Sequence, residues 1–191
     1  MATELDAVNI MLIARGLTPV NTLTTGHPDV AAARNILDRR NEEVQSKKWW
    51  FNTENEVQLT LDANDKIAVP AGVIRIDDAF ESTGENKLQI LGSFLYDPVD
   101  RTLQFDDDPQ PMTLIYLRDW EDLEAVPFNY IVALAKEEFV RPLESQLISS
   151  QAEKDIQRCF AKMQVADIEH KDPGTSGNPL VAKWLSKMLV R

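Results

Sequence analysis

The chain has 191 residues, a length suited to one domain or to one domain carrying a smaller insertion, and 43% of them are hydrophobic, enough for a real core. With 31 acidic residues against 20 basic and a net charge of −11, it lacks the clustered cations through which nucleic-acid binding releases counterions, its longest basic runs being Arg39-Arg40 and Lys47-Lys48. No stretch approaches the roughly 18 consecutive apolar residues of a membrane span, the acidic start Met1-Ala2-Thr3-Glu4-Leu5-Asp6 is unlike a secretory signal, and the single Cys159 excludes an internal disulfide.

In chain order, the spacing predicts a first helix over about residues 3–15. Thr3 serves as N-cap with Asp6 three places on, Leu5, Val8 and Leu12 form the apolar stripe, and Gly16 ends it. After a polar connection, Pro28 opens a second helix with Asp29 in its first turn. That helix is expected to run through Lys47 with Val30, Ala33, Leu37 and Val44 on its inner side.

The middle third then changes period. Short alternating runs appear at 56–61, 66–69, 73–77, 88–91 and 112–117, separated by turn signals such as Asp62-Ala63-Asn64-Asp65, Pro70-Ala71-Gly72, Asp97-Pro98 and Asp106-Asp107-Asp108-Pro109. Strands at this spacing mean a small antiparallel sheet or sandwich. Helix returns after a short turn at Asp119–Leu123, with Pro127 opening a helix that carries Ile131, Leu134 and Ala135 on one side, and Pro142 breaking it after Arg141. A further helix with Leu143, Leu147, Ile156 and Phe160 reaches about His170. The fold class is therefore α+β: a helical bundle (1–52 and 118–171) with an inserted β domain (53–117) and a flexible tail (172–191).

Residues that could carry chemistry are few. His27 and His170 have no partner at a metal-ligating spacing, so zinc is unsupported and both read as surface residues. Cys159, beside Phe160 on the apolar side of a helix, reads as buried filler and not as a nucleophile. No nucleophile elbow or phosphate-cradling glycine loop occurs, and no cofactor is implied. Asp77-Asp78 and Asp106-Asp107-Asp108 are the densest carboxylates. The triplet lacks the ligand spacing of a calcium loop and reads as a solvated turn, although the fold could still assemble a carboxylate pair for glycoside hydrolysis.

Two aromatic groups stand out. Trp49, Trp50 and Phe51 close the second helix, either as a plug at the joint between helical and β parts or as an exposed patch for a sugar or a partner. Behind the Pro/Gly/Ser linker 172–179, Leu180, Trp184, Leu185, Met188 and Leu189 share one helical face. That segment either docks into a neighbour's groove, with Trp184 as anchor, or folds back on its own bundle.

The run Leu5-Asp6-Ala7-Val8-Asn9-Ile10-Met11-Leu12-Ile13-Ala14-Arg15-Gly16, with Pro19-Val20 and Thr22-Leu23, resembles the opening of the tail tubular protein A family of short-tailed phages. So does Asp29–Leu37 leading into Val44-Gln45-Ser46-Lys47-Lys48-Trp49-Trp50-Phe51-Asn52, where the family carries Gln-Ser-x-Gly-Trp-x-Phe-Asn. Here Lys48 replaces the usual glycine, which implies a helix running one residue further. The resemblance covers about residues 4–140 and is sharpest over 4–54.

What the resemblance implies is a structural adaptor and not an enzyme. Twelve copies would form a ring between the portal protein and the nozzle protein (tail tubular protein B), line part of the DNA exit channel and help seat the tail fibres. The protein would reside in the virion tail after assembly in the host cytoplasm, binding no specific nucleic acid and entering no membrane. Two other readings remain: a tail-associated glycan hydrolase using paired carboxylates, and a head-completion factor that binds the portal transiently.

Overall fold

The computed structural model describes residues 3–24, 26–77, 88–141 and 146–171, the side chains of 146–149 excepted. The chain divides into two compact units, Met1–Val44 with Asp119–Arg191, and Gln45–Arg118. The first is helical and the second is built around strands, so the protein is α+β.

In the helical unit, α1 spans Glu4–Ala14. Thr3 caps it in a reciprocal box: the Asp6 amide donates to Thr3 Oγ1 at 3.2 Å, and the Thr3 amide donates to Asp6 Oδ2 at 3.0 Å. At the other end, Gly16 adopts φ +79°, its amide bonds to the Ile13 carbonyl, and the Leu17 amide bonds to the Leu12 carbonyl. This Schellman closure needs the left-handed conformation that glycine supplies. The Asn9 side chain then clamps the returning chain, donating to the Val20 carbonyl at 2.9 Å and accepting from its amide at 2.8 Å.

The apolar stripe of α1 differs from the one its sequence suggests. Ala7, Val8, Met11 and Leu12 are buried while Leu5 is only half-buried, because the helix packs through two adjacent rows instead of one. Ile10 and Ile13 are left on the surface.

α2 spans Pro28–Gln45 and buries Val30, Ala33, Leu37 and Val44, the four inner positions read from its spacing. A 3-10 turn at Trp120–Asp122 leads into α3, Ala125–Val140, which buries Phe128, Ile131, Ala135 and Phe139. Leu134, expected with them, is half-buried. α4 spans Gln146–Lys171, with Tyr130 of α3 stacked against its Phe160 at 5.4 Å between ring centroids. The Arg15 guanidinium lies 4.7 Å over the Phe139 ring and joins the end of α1 to α3. Pro142 and Leu143 lie outside the described residues.

A charged clamp ties α2 to α3. Arg39 and Arg40 both donate to the Glu138 carboxylate, Arg40 from Nε at 2.8 Å. Partial burial alone would raise the Glu138 carboxyl, but the hydrogen bonds and charges of the two arginines outweigh it and hold the pKa below its ordinary value. A carboxylate depressed in this way stabilises the fold above its unfolded pKa, and the stabilisation is lost as pH falls through the folded value. Glu138→Gln is therefore expected to flatten the acid limb of a urea-unfolding series taken from about pH 7 to about pH 3. An unchanged limb would mean that the clamp contributes nothing.

In the second unit, β1 (Thr53–Val57), β5 (Met112–Tyr116) and β2 (Val73–Asp77) form an antiparallel sheet with β5 in the centre. A separate hairpin pairs β3 (Gln89–Leu91) with β4 (Phe94–Tyr96) through the two-residue turn Gly92-Ser93, where Gly92 takes φ +65°. Met112 and Leu114 on one face of β5 join Leu59, Ile67 and Leu95 in the core of this unit. The run at 56–61 is a strand only to Val57, and 66–69 makes isolated bridges, since pairing with β5 and not local alternation decides where β1 lies. Glu56 sits at φ 57° within a register shift of β1, a bulge that bends this edge strand.

Candidate functional site

The turn that follows α2 is densely hydrogen-bonded. Gln45 is fully buried; its Nε2 donates to the Arg118 carbonyl at 3.0 Å and its Oε1 accepts from the Arg118 amide at 2.8 Å. One side-chain amide thus ties the first residue of the β unit to its last. Asn52, also fully buried, donates from Nδ2 to the Gln45 carbonyl at 2.6 Å and to the Lys47 carbonyl at 3.3 Å, and its Oδ1 accepts from the Trp49 amide at 3.1 Å. Its own carbonyl accepts from the Tyr116 amide at 2.8 Å, which starts the sheet.

This arrangement corrects the end of α2. The helix stops at Gln45, short of Lys47, because Asn52 draws the Gln45 and Lys47 carbonyls into the turn. Lys48 does not extend it either, and it is absent from the residues with positive φ, so lysine replaces the family's glycine without backbone strain. Trp49 is buried, and Trp50 packs edge-on against Phe51 at 5.2 Å. A buried Trp49 offers no open face to a sugar ring, which removes half of the platform that a glycan-binding patch would use.

The second feature lies within the helical unit. A groove of about 410 Å³ opens between α1, α3 and α4, walled by Ile10, Val126, Val132 and Ala133 and edged by Lys136, Arg158 and Lys162. A smaller hollow of about 180 Å³ continues it through the shared Lys136 and Asp155 to Ala14 and Val140. Cys159 lines the groove; it is half-buried, and desolvation raises its thiol while the nearby lysines and Arg158 pull the other way. A raised thiol is a poor nucleophile at neutral pH.

The remaining sequence candidates are dispersed. His27 and His170 are exposed. Asp77 is bound by Arg75 at 2.7 Å, and Asp78 lies outside the described residues. Asp106, Asp107 and Asp108 are exposed, and Asp108 Oδ1 accepts from the Leu61 amide at 2.8 Å, so one member of the triplet secures a loop. Among the described residues no group of three or more His, Cys, Asp or Glu side chains is placed to hold a metal ion, and no helix is long and apolar enough to cross a membrane. Leu180, Trp184, Leu185, Met188 and Leu189 fall outside the described residues. The groove escaped the sequence reading; its only local signal was Ile10 and Ile13, apolar residues off the main stripe.

The family model described as tail tubular protein matches residues 5–173, across both units. The chain is also 33% identical over 121 residues to tail tubular protein A of Klebsiella phage KP34, an overlap covering 63% of this chain and 62% of that relative. The chain belongs to the tail tubular protein family.

Proposed function

We propose that this chain is the adaptor subunit of a short phage tail, twelve copies forming a ring between the portal and the nozzle protein, tail tubular protein B. The observation that carries this reading is the family match over residues 5–173, which includes both the helical and the β unit. Each subunit packs on the next in a heterologous contact that closes by rotation. The helical unit supplies the ring wall, the β unit serves the nozzle and the seating of tail fibres, and Trp49, Trp50 and Phe51 stiffen the joint between them. The net charge of −11 keeps the channel wall from holding the departing DNA. The role is not enzymatic, and the ring enters the virion after assembly in the host cytoplasm.

The segment beyond Lys171 has its own part in this proposal. Leu180, Trp184, Leu185, Met188 and Leu189, spaced in the sequence as one helical face would be and preceded by the Pro/Gly/Ser-rich run 172–179, dock onto an adjoining subunit or the portal. Electron microscopy of the purified protein, alone and mixed with the portal of its phage, tests the proposal. Twelve-fold rings on the portal are the expected result, and truncation after Asp172 should weaken them. A folded protein that never associates with the portal would overturn the adaptor reading.

A further inference from the structure

We infer that the groove between α1, α3 and α4 is the acceptor side of the contact between successive copies of this chain, and that it receives an acidic surface of a second copy. The inference rests on the ring reading above and adds the place of the contact. Its first support is shape. The hollow and its continuation follow α3 from Val126 to Val140, about 21 Å at the helical rise, long enough for a few turns of a partner helix. Ile10 and Ala14 line it, and Ile13 shares their face of α1 by its i, i+3 spacing. Ile10 is 41% exposed and Ile13 60%, so this face of a well-packed helix remains open to a partner.

Charge supplies the second support and selects the occupant. Lys136, Arg158 and Lys162 edge the main groove; Arg158 is paired at 3.6 Å with its one acid, Asp155, and Glu137 in the continuation is paired with Arg141, so Lys136 and Lys162 supply the excess positive charge. The chain as a whole carries −11, so a second copy brings a predominantly negative surface, and these cations are what can accept it. The face of α2 with exposed Asp38 and Glu42 is one such surface. The tail after residue 180 has the wrong sign, since Lys183, Lys187 and Arg191 would be repelled. A cationic groove also cannot face itself across a two-fold axis without opposing like charges. It therefore favours the head-to-tail contact that a closed ring requires.

Cys159, the chain's sole cysteine, lines the groove and gives a direct readout without any variant. The full-length protein, as free subunits and as rings formed alone or on the portal, is treated with a small maleimide. Alkylation of Cys159 is expected to slow about tenfold on assembly as access is lost. Lys136→Glu/Arg158→Glu/Lys162→Glu, shown by circular dichroism to be folded, is expected to assemble about a hundredfold less readily, the like-charge repulsion replacing attraction. Rings in which Cys159 reacts as fast as in free subunits would overturn the inference and leave the ring reading intact. So would wild-type assembly by the reversed variant. Protection of Cys159 in free subunits by a short DNA duplex would reassign the groove to nucleic acid. Absence of rings under every condition, the portal included, would overturn the ring reading and this inference together.

Discussion

Replacing Asn52 by alanine is expected to destabilise the β unit by about 3 kcal/mol, among the largest losses available to any single polar side chain here. Three backbone groups depend on it: the Trp49 amide and the carbonyls of Gln45 and Lys47. Asn52 is fully buried, so water cannot replace what alanine removes, and each orphaned group retains its desolvation cost. Asn52→Asp should fare no better, since it would exchange the donor of two bonds for a second acceptor. Denaturant unfolding followed by tryptophan fluorescence reads the effect through Trp49 and Trp50, which sit in the same turn. A loss under about 0.5 kcal/mol would show that the turn is held by packing alone.

Leu12→Ala is expected to cost about 3 kcal/mol, whereas Ile13→Ala should stay within about 0.5 kcal/mol. The two residues are adjacent in sequence and similar in size, but Leu12 is 1% exposed and Ile13 is 60% exposed. Removing buried methyl groups forfeits their transfer energy and leaves a cavity, while trimming an exposed side chain does neither. Paired chevron or equilibrium unfolding curves would separate the cases. Equal losses would mean that α1 buries a different face from the one described. If Ile13 belongs to the contact face of the groove, its alanine variant should weaken assembly while leaving the monomer as stable as before.

The contrast between these neighbours shows where sequence reading succeeds and where it stops. Two helix starts were legible because their chemistry is local: Thr3 with Asp6, and Pro28 as a first helical residue, need only a few neighbouring positions; α3 instead starts at Ala125, two residues before the Pro127 expected to open it, because proline is tolerated anywhere in a first turn. The inner positions of α2 were legible for the same reason, one clear 3.6-residue period running over most of the helix. The end of α2 was not, because it is decided by Asn52, which lies beyond the helix and reaches back to carbonyls within the turn. In the β unit, β1 starts before the alternating run and β4 was missed. Phe94-Leu95-Tyr96 is apolar throughout and shows no alternation, and pairing between Thr53 and Ile115 bridges a long separation in sequence.

The two candidate sites divide along the same line. The family signature around Gln45 and Asn52 could be seen in the sequence as a resemblance, but not why it holds two amide side chains; the bonds to Arg118, Lys47 and Trp49 supply that reason. The groove had no signature at all. It brings Ile10 of α1 to Lys136 of α3 and Cys159 of α4, more than a hundred residues further along the chain, and only the packed bundle makes them neighbours.

The central claim is that this chain is a ring subunit between portal and nozzle, and cryo-electron microscopy of the intact virion of its phage tests it most directly. The account predicts a twelve-fold ring directly below the portal into which the helical unit and the β unit, fitted as separate bodies, both place with their side chains in register. If that ring is filled by another polypeptide, or if these units fit only density elsewhere in the particle, the adaptor assignment is wrong.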